Sequence, residues 1–165
     1  MTGTQPTSPE ELLRTQEEEL SGGLQQQFQQ VRKHDPLLPW QGSGTILLVE
    51  DEPQFMMAAK ALIQALGFSV IEASNGQEAL ELYQLNTEQI IMVVTDLSMP
   101  IMGGYTLIRE LKLVNPELPV IISSCFGDTP VAARMTGEVA GLLNKPYSLD
   151  QLREVLKRVV EGVTP

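Results

Sequence analysis

Basic residues are scarce and nowhere run together: 11 Lys and Arg stand against 21 Asp and Glu, a formal net charge of −10. Without a basic block there is no electrostatic footprint for nucleic acid or an anionic membrane, and direct contact with either is not expected. Long apolar runs are missing too. None approaches the about 18 residues that a spanning helix needs, and no secretory signal pattern is visible. Cysteine occurs once, as Cys125, which excludes an internal disulfide and fits a reducing, cytoplasmic compartment. Aromatic residues make up only 5% of the chain. Core-forming residues are not short, however: 42% of the 165 residues are apolar, enough for one ordinary domain and a modest extension.

Two regions differ in texture. Residues 1–44 are rich in Gln, Glu, Gly and Pro and read as an N-terminal arm and linker, partly helical or disordered. Ser8-Pro9-Glu10-Glu11 is a helix start with a capping Ser, Pro at the first helical position and Glu11 closing a capping box. Leu13, Leu20, Leu24 and Val31 form an apolar stripe that Gly22-Gly23 interrupts, at about 1 kcal/mol per Gly relative to Ala. The arm is expected either to stand in solvent or to dock on the domain or on a second copy. Asp35 to Gly44 reads as an extended linker, and His34 and Trp40 come with no motif around them.

From Thr45 the pattern alternates. Short apolar runs at Ile46–Val49, Phe68–Ile71, Ile90–Val94, Val120–Ser123 and Gly141–Asn144 read as strands, the third buried on both faces. Helices are expected over Gln54–Leu66, with Ala58, Leu62, Ala65 and Leu66 on the apolar side, over Asn75–Leu85 and over Gly104–Val114. A weaker one spans Thr129–Thr136, and a strongly periodic one spans Ser148–Val160 with Leu149, Leu152, Val155, Leu156 and Val159. Gly67 and Asn115-Pro116 act as stops. Five strand–helix units in succession imply an α/β fold, a parallel sheet between two helix layers.

In such a sheet the functional crevice lies beyond the carboxyl ends of the strands. The residues found there are Glu50-Asp51-Glu52, Asp96, Ser124 and Lys145. Two carboxylates about 4 Å apart repel by about 4 kcal/mol at an effective dielectric of 20, so such a cluster calls for a cation among its oxygens. Magnesium suits one or two carboxylates, retained water and phosphate oxygens. A carboxylate beside a magnesium ion, a fixed lysine and a hydroxyl is equipped to accept a phosphoryl group, with Asp96 as the in-line nucleophile.

Residues 45–161 resemble a response-regulator receiver domain of two-component signalling. The resemblance rests on Leu47-Leu48-Val49-Glu50-Asp51-Glu52, Asp96-Leu97-Ser98-Met99-Pro100-Ile101-Met102-Gly103-Gly104, Pro119 to Ser124, and Lys145-Pro146-Tyr147, in that order. It implies a doubly wound, flavodoxin-like fold with strand order 2-1-3-4-5 and five helices, with the receiver over 45–165. It also implies Asp96 as phosphoacceptor, Glu50 and Asp51 as the acidic metal pair for Mg2+, and the Ser98 backbone carbonyl in the same metal shell. Ser124, with Ser123 as its rival, would meet the phosphoryl group and Lys145 would pair with it; Lys145-Pro146 would be cis. The implied partner is a histidine kinase or histidine phosphotransfer protein. The domain would be a regulatory phosphoacceptor that assists its own phosphorylation and dephosphorylation, not a free-standing enzyme.

Two positions depart from the family pattern. Leu142 stands three residues before Lys145, where many receivers carry an aromatic switch residue, so a paired movement of hydroxyl and ring cannot operate as such. Phe126, two residues past Ser124, replaces a side chain that is often polar, and slow self-dephosphorylation is expected. Cys125, at a position the family usually fills with a small residue, is expected to fill core space, and Met99 and Met102 to be packing residues. A phosphorylation-independent interaction module on the same fold stays as the alternative. The linker before Thr45 resembles those preceding the receivers of hybrid sensor kinases, no DNA-binding effector is expected, and a homodimer through the arm or the last helices is left open.

Overall fold

The computed structural model describes residues 40–125, 129–135 and 137–162. The arm with its expected helix from Ser8, His34 and the Phe126–Gly127 loop lie outside them. The β-branched and leucine-rich runs pair as five parallel strands: β1 (Thr45–Val49), β2 (Ser69–Ala73), β3 (Ile90–Thr95), β4 (Val120–Ser124) and β5 (Gly141–Asn144), in the order β2-β1-β3-β4-β5. Helices α1 (Pro53–Ala65), α2 (Gly76–Leu85), α3 (Gly104–Val114) and α4 (Thr129–Arg134) form the crossovers, and α5 (Leu149–Glu161) follows β5. Helix α1 packs beside α5 and α2 beside α3, so the sheet is covered on both faces, as a parallel sheet requires.

Alternation along the strands divides the core. On one face Leu47, Val49, Val93, Val120 and Ile122 pack with Ala79, Tyr83, Leu107, Ile108 and Leu111 from α2 and α3. Tyr83 is fully enclosed, and its hydroxyl accepts a hydrogen bond from Asn115 Nδ2 at 3.0 Å. On the other face Ile46, Leu48, Val94 and Ile121 are buried, as are Ile63, Leu152 and Leu156 of α1 and α5. A Cβ on Gly141 would meet Val155 at 2.7 Å, a measure of how closely α5 lies on β5.

Local signals end the helices as their chemistry dictates. Asn75 caps α2 by accepting from the Glu78 amide at 3.0 Å, and Ser148 with Gln151 forms a capping box on α5. Gly67 closes α1 at φ +95, where a Cβ would lie 2.6 Å from the Gly42 carbonyl oxygen, so only glycine fits there.

Three expectations are corrected. The buried side of α1 is Ala59, Ile63 and Leu66; Ala58 and Ala65 are exposed and Leu62 is half-buried. Apolar residues occur almost all round this helix, so periodicity alone did not single out a face, and packing against the sheet chose one. Strand β3 is buried except at Ile91, whose side chain lies against Gly44 at the strand's open end. Cys125, one residue beyond β4, is exposed and fills no core space, because the chain has already left the sheet. Met99 and Met102 do pack against the core.

Candidate functional site

The sheet delivers its polar residues to one end. Asp96 directly follows β3, its amide donating to the Val49 carbonyl of β1 at 3.0 Å. Its carboxylate is buried, only 7% exposed. Oδ1 accepts from the Leu97 amide at 2.6 Å, with the Ser98 amide farther off at 3.4 Å. Oδ2 accepts from Lys145 Nζ at 3.0 Å. The chain can turn so sharply only because Gly104 approaches it: a Cβ there would fall 2.0 Å from the Asp96 carbonyl oxygen. The Gly104 amide donates to the Leu97 carbonyl at 2.9 Å, which closes the loop against the start of α3.

Lys145 reaches the same point from the end of β5. Its ammonium bridges the carboxylates of Asp96 and Glu50, and all three side chains are nearly enclosed. The Phe55 ring lies 4.9 Å from Nζ, measured to its centroid, a distance at which the ring face attracts the cation. Burial pulls the Lys145 pKa down, but hydrogen bonds and charge from Glu50 and Asp96 more than offset this, and the group is held above the ordinary lysine value. Burial pushes Glu50 up despite the opposing pull of Lys145, and the charge of Asp96 adds to the rise. Two carboxylates thus share one ammonium. The peptide bond from Lys145 to Pro146 is cis.

Asp51 completes the group. Oxygens of Glu50, Asp51 and Asp96 lie within 4.8 Å of one another, yet among the described residues Lys145 pairs only with Glu50 and Asp96. Among the described residues no ammonium pairs with Asp51, and the donors are hard oxygens, so the cluster fits a divalent cation such as magnesium. Glu50 is also bound within its own loop, Oε1 accepting from the Glu52 amide at 3.1 Å.

The remaining candidates divide. Ser124 and Ser123 end β4 and are both buried; the Ser124 carbonyl accepts the Lys145 amide at 2.8 Å. Ser123 Oγ has no hydrogen bond of good geometry, but it lies close enough to Tyr147 to weigh on that phenol, whose pKa burial raises. Ser98 is exposed, two residues beyond Asp96. Leu142 on β5 is 37% exposed and borders a groove of about 370 Å³ with Tyr147, Val155 and Arg158. It is therefore not part of the acidic cluster. Sequence reasoning missed Phe55, since an aromatic four residues after Asp51 carries no signal of its own. It also missed the Glu50–Lys145 pair, because 95 residues separate the two.

Comparison with known proteins agrees with the geometry. The response regulator receiver domain family matches residues 46–157. The sensor kinase CckA of Brucella abortus is 38% identical over 121 residues, 73% of this chain and 13% of that protein. The transcriptional regulatory protein GlrR of Escherichia coli is 34% identical over the same length, 27% of that protein. The chain thus spans only a small part of these curated relatives. Among solved structures, a receiver domain protein from Clostridium thermocellum superposes with TM-score 0.68 at 28% identity, covering 72% of this chain and 95% of that one. The receiver domain of a histidine kinase from Syntrophus aciditrophicus gives 0.64 at 29%, covering 73% and 92%. Among the described residues no helix is long and apolar enough to cross a membrane. This chain belongs to the response-regulator receiver domain family of two-component signalling.

Proposed function

We propose that Asp96 accepts a phosphoryl group from a phosphohistidine on a histidine kinase or histidine phosphotransfer protein, with Mg2+ bound at the acidic cluster. The observation that carries this is the recessed Asp96 carboxylate, held at Oδ2 by Lys145 and within 4.8 Å of the Glu50 and Asp51 oxygens. A carboxylate oxygen of Asp96 forms the new bond to phosphorus while the phosphorus–nitrogen bond to the donor imidazole breaks. The electron pair leaves with the imidazole nitrogen, and the product is an acyl phosphate. Bound magnesium supplies charge stabilisation for the transferring oxygens.

The protein's own residues do the rest. Asp51 and Asp96 would hold the metal with the Ser98 carbonyl, and Glu50 would support it from behind while anchoring Lys145. The Lys145 ammonium stays charged because two carboxylates face it, and it would pair with a phosphoryl oxygen as charge builds in the transition state. Ser124 would donate its hydroxyl to another. With Leu142 in place of an aromatic, the changed state would be reported through the end of β4 and the surface beside α4. The domain would work in the cytoplasm as a regulatory phosphoacceptor within a longer signalling protein or beside one. Residues 1–44 would act as arm and linker, with 45–165 the receiver unit.

The test is to incubate the protein with acetyl phosphate and magnesium and weigh it intact. One added phosphoryl group is expected, not formed when magnesium is chelated beforehand and absent in Asp96→Asn. An adduct that persists in Asp96→Asn would overturn the proposal.

A further inference from the structure

Helix α1 carries an aromatic side chain past the end of the core it packs on. Ala59 and Ile63 are buried residues of this helix, and Phe55 stands four residues before Ala59 on the same stripe. The stripe outruns the sheet there: Phe55 lies in the first turn of α1 and is half-buried. That turn is held in place, since Pro53 presets the backbone and the Met56 amide donates to the Glu52 carbonyl at 2.9 Å. The ring therefore has a fixed position, and Lys145 Nζ lies over it, 4.9 Å from its centroid.

This contact differs in kind from the other two that hold the ammonium. A lysine ammonium has three donors on a flexible stem, and Glu50 and Asp96 each take one. Both carboxylates change during the proposed reaction: Asp96 gives up its charge on becoming an acyl phosphate, and Glu50 would come to support a bound metal. The ring has no charge to lose, no proton to exchange and no oxygen to offer magnesium. Its attraction for the cation is the same before and after transfer. That attraction is strongest for a cation screened from water, and the Lys145 side chain is only 6% exposed. A packing role alone does not call for a ring, because an aliphatic side chain would cover the end of the helix without attracting the ammonium.

We infer that Phe55 is a positioning residue for Lys145: its ring face keeps the ammonium beside the acceptor when the Asp96 carboxylate gives up its charge. Lys145 is the group that meets the phosphoryl oxygen, and Phe55 acts through it. This rests on Asp96 being the phosphoacceptor.

The test changes the charge on the ring face before it removes the ring. Position 55 is filled in turn with phenylalanine and its 4-fluoro, 3,5-difluoro and 3,4,5-trifluoro analogues. Fluorine withdraws charge from the ring face in steps, keeps its shape and makes it more apolar; Phe55→Leu removes the ring. With acetyl phosphate and magnesium, the labelling rate should fall in step with the number of fluorines. It should reach about tenfold below wild type in the trifluoro protein and in Phe55→Leu. In chelator, where no transfer occurs, Tm should fall through the same series in the Lys145 protein and stay level through it in Lys145→Met. Equal labelling rates throughout the fluorinated series would overturn the inference even with Phe55→Leu slow, because shape alone would then count. A Tm series that runs the same way in Lys145→Met would overturn it as well. Absence of label from every protein would instead contradict Asp96 as acceptor, while the Tm series would still decide whether the ring holds the ammonium.

Discussion

Asp51→Asn separates a metal site from an ordinary acidic patch. The substitution keeps the shape of the side chain and removes one negative charge from a cluster whose oxygens lie within 4.8 Å of one another. At that spacing and an effective dielectric of 20, each like-charge pair repels by about 3.5 kcal/mol. Lys145 already answers Glu50 and Asp96, and Asp51 is partly open to water. Screening therefore reduces the unrelieved part to about 1–2 kcal/mol. In chelator the variant should be more stable than wild type by that amount, roughly 3–6 °C in Tm for a domain of this size. In magnesium the order should reverse. A ligand present at about 100 times its Kd adds about 2.7 kcal/mol to a protein that binds it, and the variant should gain little. The assay is thermal unfolding of both proteins with chelator and over a magnesium titration. Equal Tm values in chelator together with equal magnesium shifts would refute the account of the cluster.

Other perturbations follow from the same geometry. Gly104→Ala puts a methyl 2.0 Å from the Asp96 carbonyl oxygen. It should cost about 1–3 kcal/mol in chemical denaturation and slow labelling by acetyl phosphate. Leu111→Ala opens the α3 side of the core, where Leu111 is fully buried, and should cost about 2–5 kcal/mol with the acidic cluster intact. Tyr147 should ionise above the usual tyrosine range, because burial favours the neutral phenol and Ser123 only partly offsets this. The stability this provides is present below the ordinary phenol pKa and disappears as pH rises through the folded-state value. In a phenolate absorbance titration, the late component should vanish in Tyr147→Phe. At Phe126, replacement by Glu should speed loss of label from the phosphoprotein; unchanged decay would contradict a role for the bulky ring.

Much of the site was legible because a parallel sheet makes position depend on chain order. An apolar run that stops at a polar residue places that residue at the carboxyl end of a strand, so Glu50, Asp51, Asp96, Ser124 and Lys145 could be gathered on paper. The pairing among them could not. That Lys145 bridges Glu50 and Asp96 rather than Asp51 depends on side-chain reach across β1, β3 and β5, which no spacing encodes. The buried face of α1 was obscured by apolar residues on nearly every side, and only contact with the sheet selected Ala59 and Ile63. The positive φ of Ile101 was hidden for another reason: a branched side chain argues for extended backbone, and the loop pinned at Gly76 and Gly104 imposes a turn instead.

The acyl phosphate itself is the most direct measure of the central claim. Protein labelled with acetyl phosphate and magnesium can be reduced with borohydride, which converts a phosphorylated aspartate to homoserine, and then digested for peptide mass spectrometry. Homoserine should appear at position 96 alone, with Glu50 and Asp51 unmodified. Homoserine at Asp51 in labelled protein, or its absence from position 96 there, would contradict the assignment of Asp96 as the acceptor.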